Sequence, residues 1–284
     1  MKQEVPFVSI CVSVDYPGRT GVLRNAFLQM RRGEVLGLVG QSGSGKSTMA
    51  LAMLRLLDLK GGKVFGTAYL QGRDLMKLSE REMRKVRGKE IGLVLQSPLS
   101  ALNPSMKIGS QLAEAWRAHS TGSAAECGQA IRNALKDVTL PSDDDFLRRY
   151  PSQLSVGQAQ RVLIAQAILH SPVLLIADEP TSALDVITQA EILRLFRTLN
   201  LDRGMGILYI SHDLASVASL CDRVAVLHDR EIVECAATRE ILQHPKHPYS
   251  KRLIAAQPLF GCLMEPTKES YASKRAPNQP DSIV

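Results

Sequence analysis

The sequence predicts an α/β fold with a phosphate-binding core, an N-terminal antiparallel β subdomain and an inserted helical lobe. Three observations carry this prediction. Gly40-Gln41-Ser42-Gly43-Ser44-Gly45-Lys46-Ser47-Thr48 has the form G-x-x-x-x-G-K-[ST], set between a short apolar strand and an apolar helix. Short runs that are apolar on both faces recur along the chain, as in a sheet covered by helices on each side. Between them, from Ser97 to about Ser152, the texture turns to Ala, Gln, Arg and Glu at helical spacing.

Residues 7 to 39 read as strands joined by a turn at Pro17-Gly18-Arg19-Thr20-Gly21, and Val8, Ile10, Val12 and Val14 alternate with Ser9, Cys11 and Ser13. Glu34 to Val39 is the buried strand that feeds the glycine-rich turn, and Thr48 to Leu59 the helix that leaves it, stopped by Gly61-Gly62. A strand, a glycine-rich turn and a helix in that order make a phosphate cradle: backbone N–H groups point inward and the helix N-terminus adds positive partial charge. This is the signature of a P-loop NTPase core. Residues 64 to 95 predict a strand, a charged helix and the buried strand Ile91 to Leu95. Ser79 and Glu82 form a capping-box pattern on that helix, and Glu80 and Arg84 are an i,i+4 pair.

The helical lobe is placed at about 97–168, with helices over Ile108 to His119 and Ala124 to Val138 and polar turns at Ser120 to Ser123 and Pro141 to Asp144. Trp116, the single tryptophan, reads as lobe core. Strands return at Val173 to Ala177 and Ile207 to Ile210, and a last hairpin runs from Arg223 to Cys235. The tail is rich in Lys, Ser, Pro and Asn and reads as disordered.

At 284 residues, 45% hydrophobic and 22% charged, the chain reads as soluble and globular and fits one large α/β domain or one domain with a lobe. Its apolar runs fall short of the roughly eighteen residues that suggest a membrane span. The N-terminus reads as a strand rather than a secretory signal, which predicts a cytoplasmic protein. The five cysteines, Cys11, Cys127, Cys221, Cys235 and Cys262, form no C-x-x-C pair, so neither a disulfide framework nor a zinc site is expected. The net charge of +7 is compatible with nucleic acid or an anionic membrane surface. Its densest stretch, Lys77 to Lys89, is interleaved with Glu80 and Glu82 and reads as a solvated helix face.

The chemistry extends beyond the loop. Lys46 can reach the β- and γ-phosphates and the Ser47 hydroxyl can ligate Mg²⁺. Asp178 ends the buried run from Val173 and suits a magnesium partner beside the cradle. Glu179 follows it and could take a proton from the attacking water.

Further motifs, in order, resemble the ATP-binding subunits of ABC transporters over residues 7 to about 258. Gln96 ends a strand before the lobe, Leu154-Ser155-Val156-Gly157-Gln158 resembles the L-S-G-G-Q signature, Asp185 lies in Ser182-Ala183-Leu184-Asp185, and His212 follows a strand. The resemblance implies an ATPase that uses ATP and Mg²⁺, with a nucleotide-binding domain over 7–258 and a tail over 259–284. Tyr16 would stack on adenine, and Gly40, Gln41, Ser42, Gly43, Ser44, Gly45, Lys46, Ser47 and Thr48 would cradle phosphate. Ser47, Gln96 and Asp178 would attend the metal. Glu179, His212, Lys46 and Gln96 would serve catalysis. Ser155, Gly157 and Gln158 would close on the γ-phosphate of an opposite subunit, which Asp185 would touch.

Ser97-Pro98-Leu99-Ser100-Ala101-Leu102-Asn103-Pro104, Tyr150-Pro151-Ser152-Gln153 and His247-Pro248-Tyr249-Ser250 resemble the peptide and nickel importer branch. That implies two transmembrane permease subunits, a second ATP-binding subunit, identical or related, and an extracytoplasmic solute-binding protein, at the cytoplasmic face of the inner membrane. His244 and His247 lie among prolines with no third ligand nearby and read as a structural turn. Cys262 alone does not suggest the cysteine-rich cluster site of some branch members. Val156 stands where the signature has its first glycine, and Arg230 and Ala236 stand where glycine is frequent. These departures keep open a catalytically weak partner subunit. A soluble ABC ATPase acting on nucleic acid is the other alternative; direct nucleic-acid binding is not expected.

Overall fold

The computed structural model describes residues 6–256. Strands β1 (Val8–Tyr16) and β2 (Arg19–Met30) pair antiparallel. The turn between them is shorter than the sequence suggests, because Arg19 already pairs with Tyr16 and Pro17-Gly18 alone make the reversal. Next come β3 (Val35–Val39) and helix α1 (Lys46–Met53). The expected helix to Leu59 ends early. Arg55 takes a left-handed φ of +51°, Arg55 N–H bonds Ala52 O at 3.0 Å and Leu56 N–H bonds Leu51 O at 3.0 Å. This termination turns fully buried Leu54 and Leu57 into the core shared with the N-terminal sheet, so packing overrides the helical pattern. A 3-10 turn over Asp58–Lys60 follows, and it is this turn that Gly61 caps, at φ +71°.

Strands β4 (Lys63–Leu70) and β5 (Arg73–Asp74) complete an antiparallel sheet in the order β2-β1-β4-β5. Helix α2 (Glu80–Val86) carries the Ser79–Glu82 capping box, and Arg84 Nε lies 3.7 Å from Glu80. After β6 (Ile91–Val94) the lobe holds α3 (Pro98–Ala101), α4 (Ile108–Arg117), α5 (Ala124–Asp137), α6 (Asp144–Leu147) and α7 (Val156–Ile168). Trp116 is buried with Ile108, Leu112, Ile131 and Leu135 in its core. The chain then runs through β7 (Leu174–Asp178), α8 (Val186–Arg203), β8 (Gly206–Ile210), α9 (Leu214–Leu220), β9 (Arg223–His228), β10 (Glu231–Ala237), α10 (Thr238–Gln243) and α11 (Pro248–Ala255).

The second sheet has the order β10-β9-β3-β8-β7-β6, parallel except for the β9–β10 hairpin. Its strands bury alternate residues on opposite faces. Val35, Val39, Leu175, Ala177, Ile207 and Tyr209 face the helical lobe and α8, while Leu36, Leu38, Leu174, Ile176, Leu208 and Ile210 face α1 and the antiparallel sheet. Two cores on one sheet explain the doubly apolar strand sequences. The parallel strands β3, β7 and β8 end together on one edge, which places the loops after Val39, Asp178 and Ile210 side by side. The Asp229-Arg230 turn of the last hairpin has positive φ at both residues, +45° and +76°. Glycine would meet no Cβ penalty in such a turn, so Arg230 carries its side chain on a backbone conformation that favours glycine. The tail over 259–284, with Cys262, lies outside the described residues. Among those residues, no helix is long and apolar enough to cross a membrane.

Candidate functional site

The loop after β3 turns back on itself through φ values of +76° at Gly43 and +109° at Gly45, then enters α1 at Lys46. Lys46 is buried, and its Nζ donates to Gly40 O at 2.9 Å and Gln41 O at 3.0 Å. Burial pushes its ammonium below the ordinary lysine range, opposed by the charges of Glu179 and Asp178. A phosphate entering the cradle would supply negative charge that offsets the hydration Lys46 loses on burial.

Ser47, on the first turn of α1, donates its hydroxyl to Asp178 Oδ1 at 3.0 Å, across 131 residues of chain. Burial raises the Asp178 carboxyl above the usual aspartate range and the neighbouring Glu179 charge adds to the rise, while the Ser47 hydrogen bond and Lys46 oppose it. A hydroxyl and a half-buried carboxylate form an all-oxygen donor pair of the kind Mg²⁺ takes beside phosphate. Glu179 adopts a left-handed φ of +46°, held by its N–H on Ile210 O at 2.9 Å. That backbone is sparsely populated for a side-chain-bearing residue and persists where surroundings over-determine it. It aims the carboxylate at two partners: Gln96 Nε2 donates to Oε2 at 2.8 Å, and His212 Nδ1 lies 3.2 Å from Oε1. The cluster therefore holds two bonded groups, Ser47–Asp178 and Gln96–Glu179–His212, which meet at the adjacent residues Asp178 and Glu179 and are fed by α1 and the ends of β6, β7 and β8.

A pocket of about 270 Å³ opens over this cluster, lined by Tyr16, Arg19, Val22, Ser42, Gly43, Gly45, Lys46, Ser47, Thr48, Gln96 and Glu179. Asp178 joins it through Ser47, and His212 through Glu179. Gln41 and Ser44 line an adjoining cavity of about 300 Å³, with Arg19, His228 and Arg230, and Ser42 and Gly43 border both cavities. Arg19 borders both cavities, and no motif in the sequence points to it.

Ser155, Gly157, Gln158 and Asp185 do not line either cavity. They form a separate constellation. Ser155 caps α7, with its Oγ accepting Gln158 N–H at 3.2 Å and Gln158 Oε1 accepting Ser155 N–H at 3.1 Å. The serine O–H keeps its own proton to donate elsewhere. Val156 is the first residue of α7 and takes no positive φ, so the bulk of its half-exposed side chain, not backbone strain, distinguishes it from glycine. Gly157 lies so close to α8 that an added Cβ would meet Thr188 Cγ2 at 2.8 Å. Asp185 caps α8 through the N–H groups of Ile187 and Thr188, each at 3.0 Å, and accepts Thr188 Oγ1 at 2.7 Å. These bonds, the Thr188 N–H first, hold its carboxyl below the usual range. Thr188 thus bonds the cap of α8 and lies close against Gly157 at the start of α7.

His247 serves α11 as its cap, with Nδ1 accepting Tyr249 N–H at 3.2 Å. Among the described residues, no group of three or more His, Cys, Asp or Glu side chains forms a metal cage.

The protein-family model described as ABC transporter matches residues 23–182. The Glutathione import ATP-binding protein GsiA of Escherichia coli K12 is 42% identical over 251 residues, covering 86% of this chain and 40% of that protein. The protein of the same name from Salmonella typhimurium is 42% identical over 247 residues, covering 85% of this chain and 40% of its own length. The chain thus spans 40% of the length of these relatives. A solved structure described as a dimeric post-hydrolysis state of the ATP-binding cassette MJ0796 bound to ADP and Pi aligns with TM-score 0.70 at 29% identity, over 82% of this chain and 99% of the other. CbiO1 of Clostridium perfringens, described as part of the ABC transporter complex cbiONQ, aligns with TM-score 0.73 at 26% identity, over 84% and 91%. With a model that covers more than half of its length, on a fold shared with solved cassettes, the chain belongs to the ABC transporter family as an ATP-binding domain.

Proposed function

We propose that this chain hydrolyses MgATP to drive an importer for small peptides. The observation that carries the reading is the pair of bonded groups, Ser47–Asp178 and Gln96–Glu179–His212, that meet at Asp178-Glu179 beside the phosphate loop. Tyr16, at the edge of the pocket, receives the adenine. The loop amides and Lys46 take the triphosphate, and Gln96 sits where metal and γ-phosphate are sensed. Ser47 and Asp178 hold Mg²⁺, with Gln96 nearby, and the ion when bound neutralises phosphate charge. Glu179 accepts the proton of the attacking water, and His212 steadies the carboxylate and faces the γ-phosphate.

The signature constellation lies outside this pocket, so a second ATP-binding subunit, identical or related, supplies the missing wall. Ser155 and the N-terminus of α7 close on the triphosphate of that partner, while Asp185 touches it. Closure and release of the pair drive two transmembrane permease subunits at the cytoplasmic face of the inner membrane. An extracytoplasmic binding protein delivers the solute. The glutathione import relatives favour peptides over nickel chelates.

The test is phosphate release by the chain purified with its membrane subunits in proteoliposomes, across glutathione, dipeptides, oligopeptides and nickel chelates. Stimulation by a peptide supports the reading. Failure to bind MgATP at all, or stimulation by DNA in place of any solute, sinks it.

A further inference from the structure

The phosphate loop is held from outside by α11, the last helix among the described residues. The N–H of Gln41 donates to the Tyr249 hydroxyl at 3.1 Å, across 208 residues. The Tyr249 ring stacks on His228 with centroids 3.6 Å apart and planes 9° from parallel, and Tyr249 is 4% exposed. His228 ends β9, the strand beside β3. One residue earlier on β9, the Leu227 carbonyl approaches Gly40 so closely that a Cβ there would lie 2.3 Å from the oxygen. The loop's first two residues are therefore pressed between the end of β9 and α11.

The helix is anchored in turn. Glu234 on β10 accepts the N–H groups of Lys246 at 2.8 Å and His247 at 3.0 Å, and His247 Nδ1 accepts Tyr249 N–H. Every link from β10 to the phosphate loop is thus a named hydrogen bond or a ring stack.

We propose that Tyr249 is a positioning residue for nucleotide binding, acting through Gln41. This rests on the phosphate-loop reading above. The Gln41 N–H, committed to the phenol, is turned out of the cradle, which fixes the plane of the Gly40–Gln41 peptide. Lys46 holds the same two residues from inside, through their carbonyls. An ammonium has three donors, and a bound triphosphate draws on them. As Lys46 turns to phosphate its hold on Gly40 and Gln41 slackens, and the external bond from Tyr249 keeps the first peptides of the loop in place. A pre-set loop loses less conformational freedom on binding, so it binds more tightly.

The experiment compares wild type and Tyr249→Phe in the full chain. Phe keeps the ring stack and deletes only the acceptor. MgATP affinity is measured by titration and the exchange rate of the Gln41 amide by NMR. The expected result is an affinity about 3- to 10-fold weaker, the range one net hydrogen bond spans, with faster exchange at Gln41. Turnover at saturating ATP in the assembled complex changes by less than about twofold, because binding and not chemistry is touched. An unchanged MgATP affinity or an unchanged Gln41 exchange rate overturns the proposal. So does a lowered melting temperature with wild-type affinity per folded molecule, which marks Tyr249 as a helix anchor alone. If wild type itself fails to bind MgATP, the phosphate-loop reading falls first.

Discussion

Replacing Glu179 with Gln isolates the proton-accepting role from everything else this residue does. The left-handed backbone at φ +46° is equally unfavourable for Glu and Gln, so the loop geometry carries over. One side-chain oxygen remains to accept from Gln96, and the new amide nitrogen occupies the place of the other oxygen, 3.2 Å from His212 Nδ1. Folding stability therefore changes by no more than about 0.5 kcal/mol, a melting shift of about 1–2 °C. Binding of MgATP holds or tightens, because a negative charge leaves the neighbourhood of Asp178 and the triphosphate. Chemistry fails. Loss of a positioned general base typically costs about 10²- to 10⁴-fold, which is about 2.7 to 5.4 kcal/mol in barrier height. Single-turnover phosphate release by the assembled complex reads this directly, with nucleotide titration and thermal melting as companions. A Gln variant that releases phosphate within about threefold of wild type, far inside the range for a lost base, refutes the assignment. A variant that loses MgATP binding refutes the separation of binding from chemistry.

Two further outcomes follow from the same geometry. Val156→Gly at the first position of α7 costs about half a kcal/mol or less in helix propensity and removes bulk beside Ser155. Turnover of the assembled complex is expected to rise, and unchanged or slower phosphate release counts against the steric argument. The Asp178 carboxyl sits above the ordinary aspartate range, first through burial, so the native chain binds this proton more tightly than the unfolded chain does. Its contribution to stability is present below the ordinary aspartate value and is lost as pH rises through the raised one. Magnesium needs the ionised oxygen, so MgATP affinity runs the opposite way and weakens as pH falls through that raised range. Titrations across about pH 4 to 8 are expected to show a steeper slope in wild type than in Asp178→Asn, the remaining slope belonging to the terminal phosphate of ATP itself; equal slopes in the two proteins remove Asp178 from the metal's surroundings.

Much of the fold was legible because its signals are local or periodic. The glycine spacing from Gly40 to Gly45 dictates a turn, Ser79–Glu82 dictates a helix start, and strands apolar on both faces dictate a covered sheet. Helix α1 is shorter than its apolar pattern because the continuation, Leu54 and Leu57, serves the core shared with the antiparallel sheet rather than a helix face. At the site, the family pattern already grouped Ser47, Gln96 and Asp178 about one metal, but the individual bonds were not legible. No local signal says that the Ser47 hydroxyl donates to Asp178 or that the Gln96 amide donates to Glu179.

The sequence by itself determined the cradle, the strand-end acids and the family pattern, since short-range backbone and side-chain chemistry fixes each of them. Tertiary structure alone decided which distant groups meet. The strand order β3-β8-β7-β6 gathers the loop, His212, the acid pair and Gln96 at one sheet edge, and β9 with α11 brings Tyr249 against Gln41. Such meetings depend on how two cores pack across one sheet, and packing is a property of the whole chain rather than of any segment.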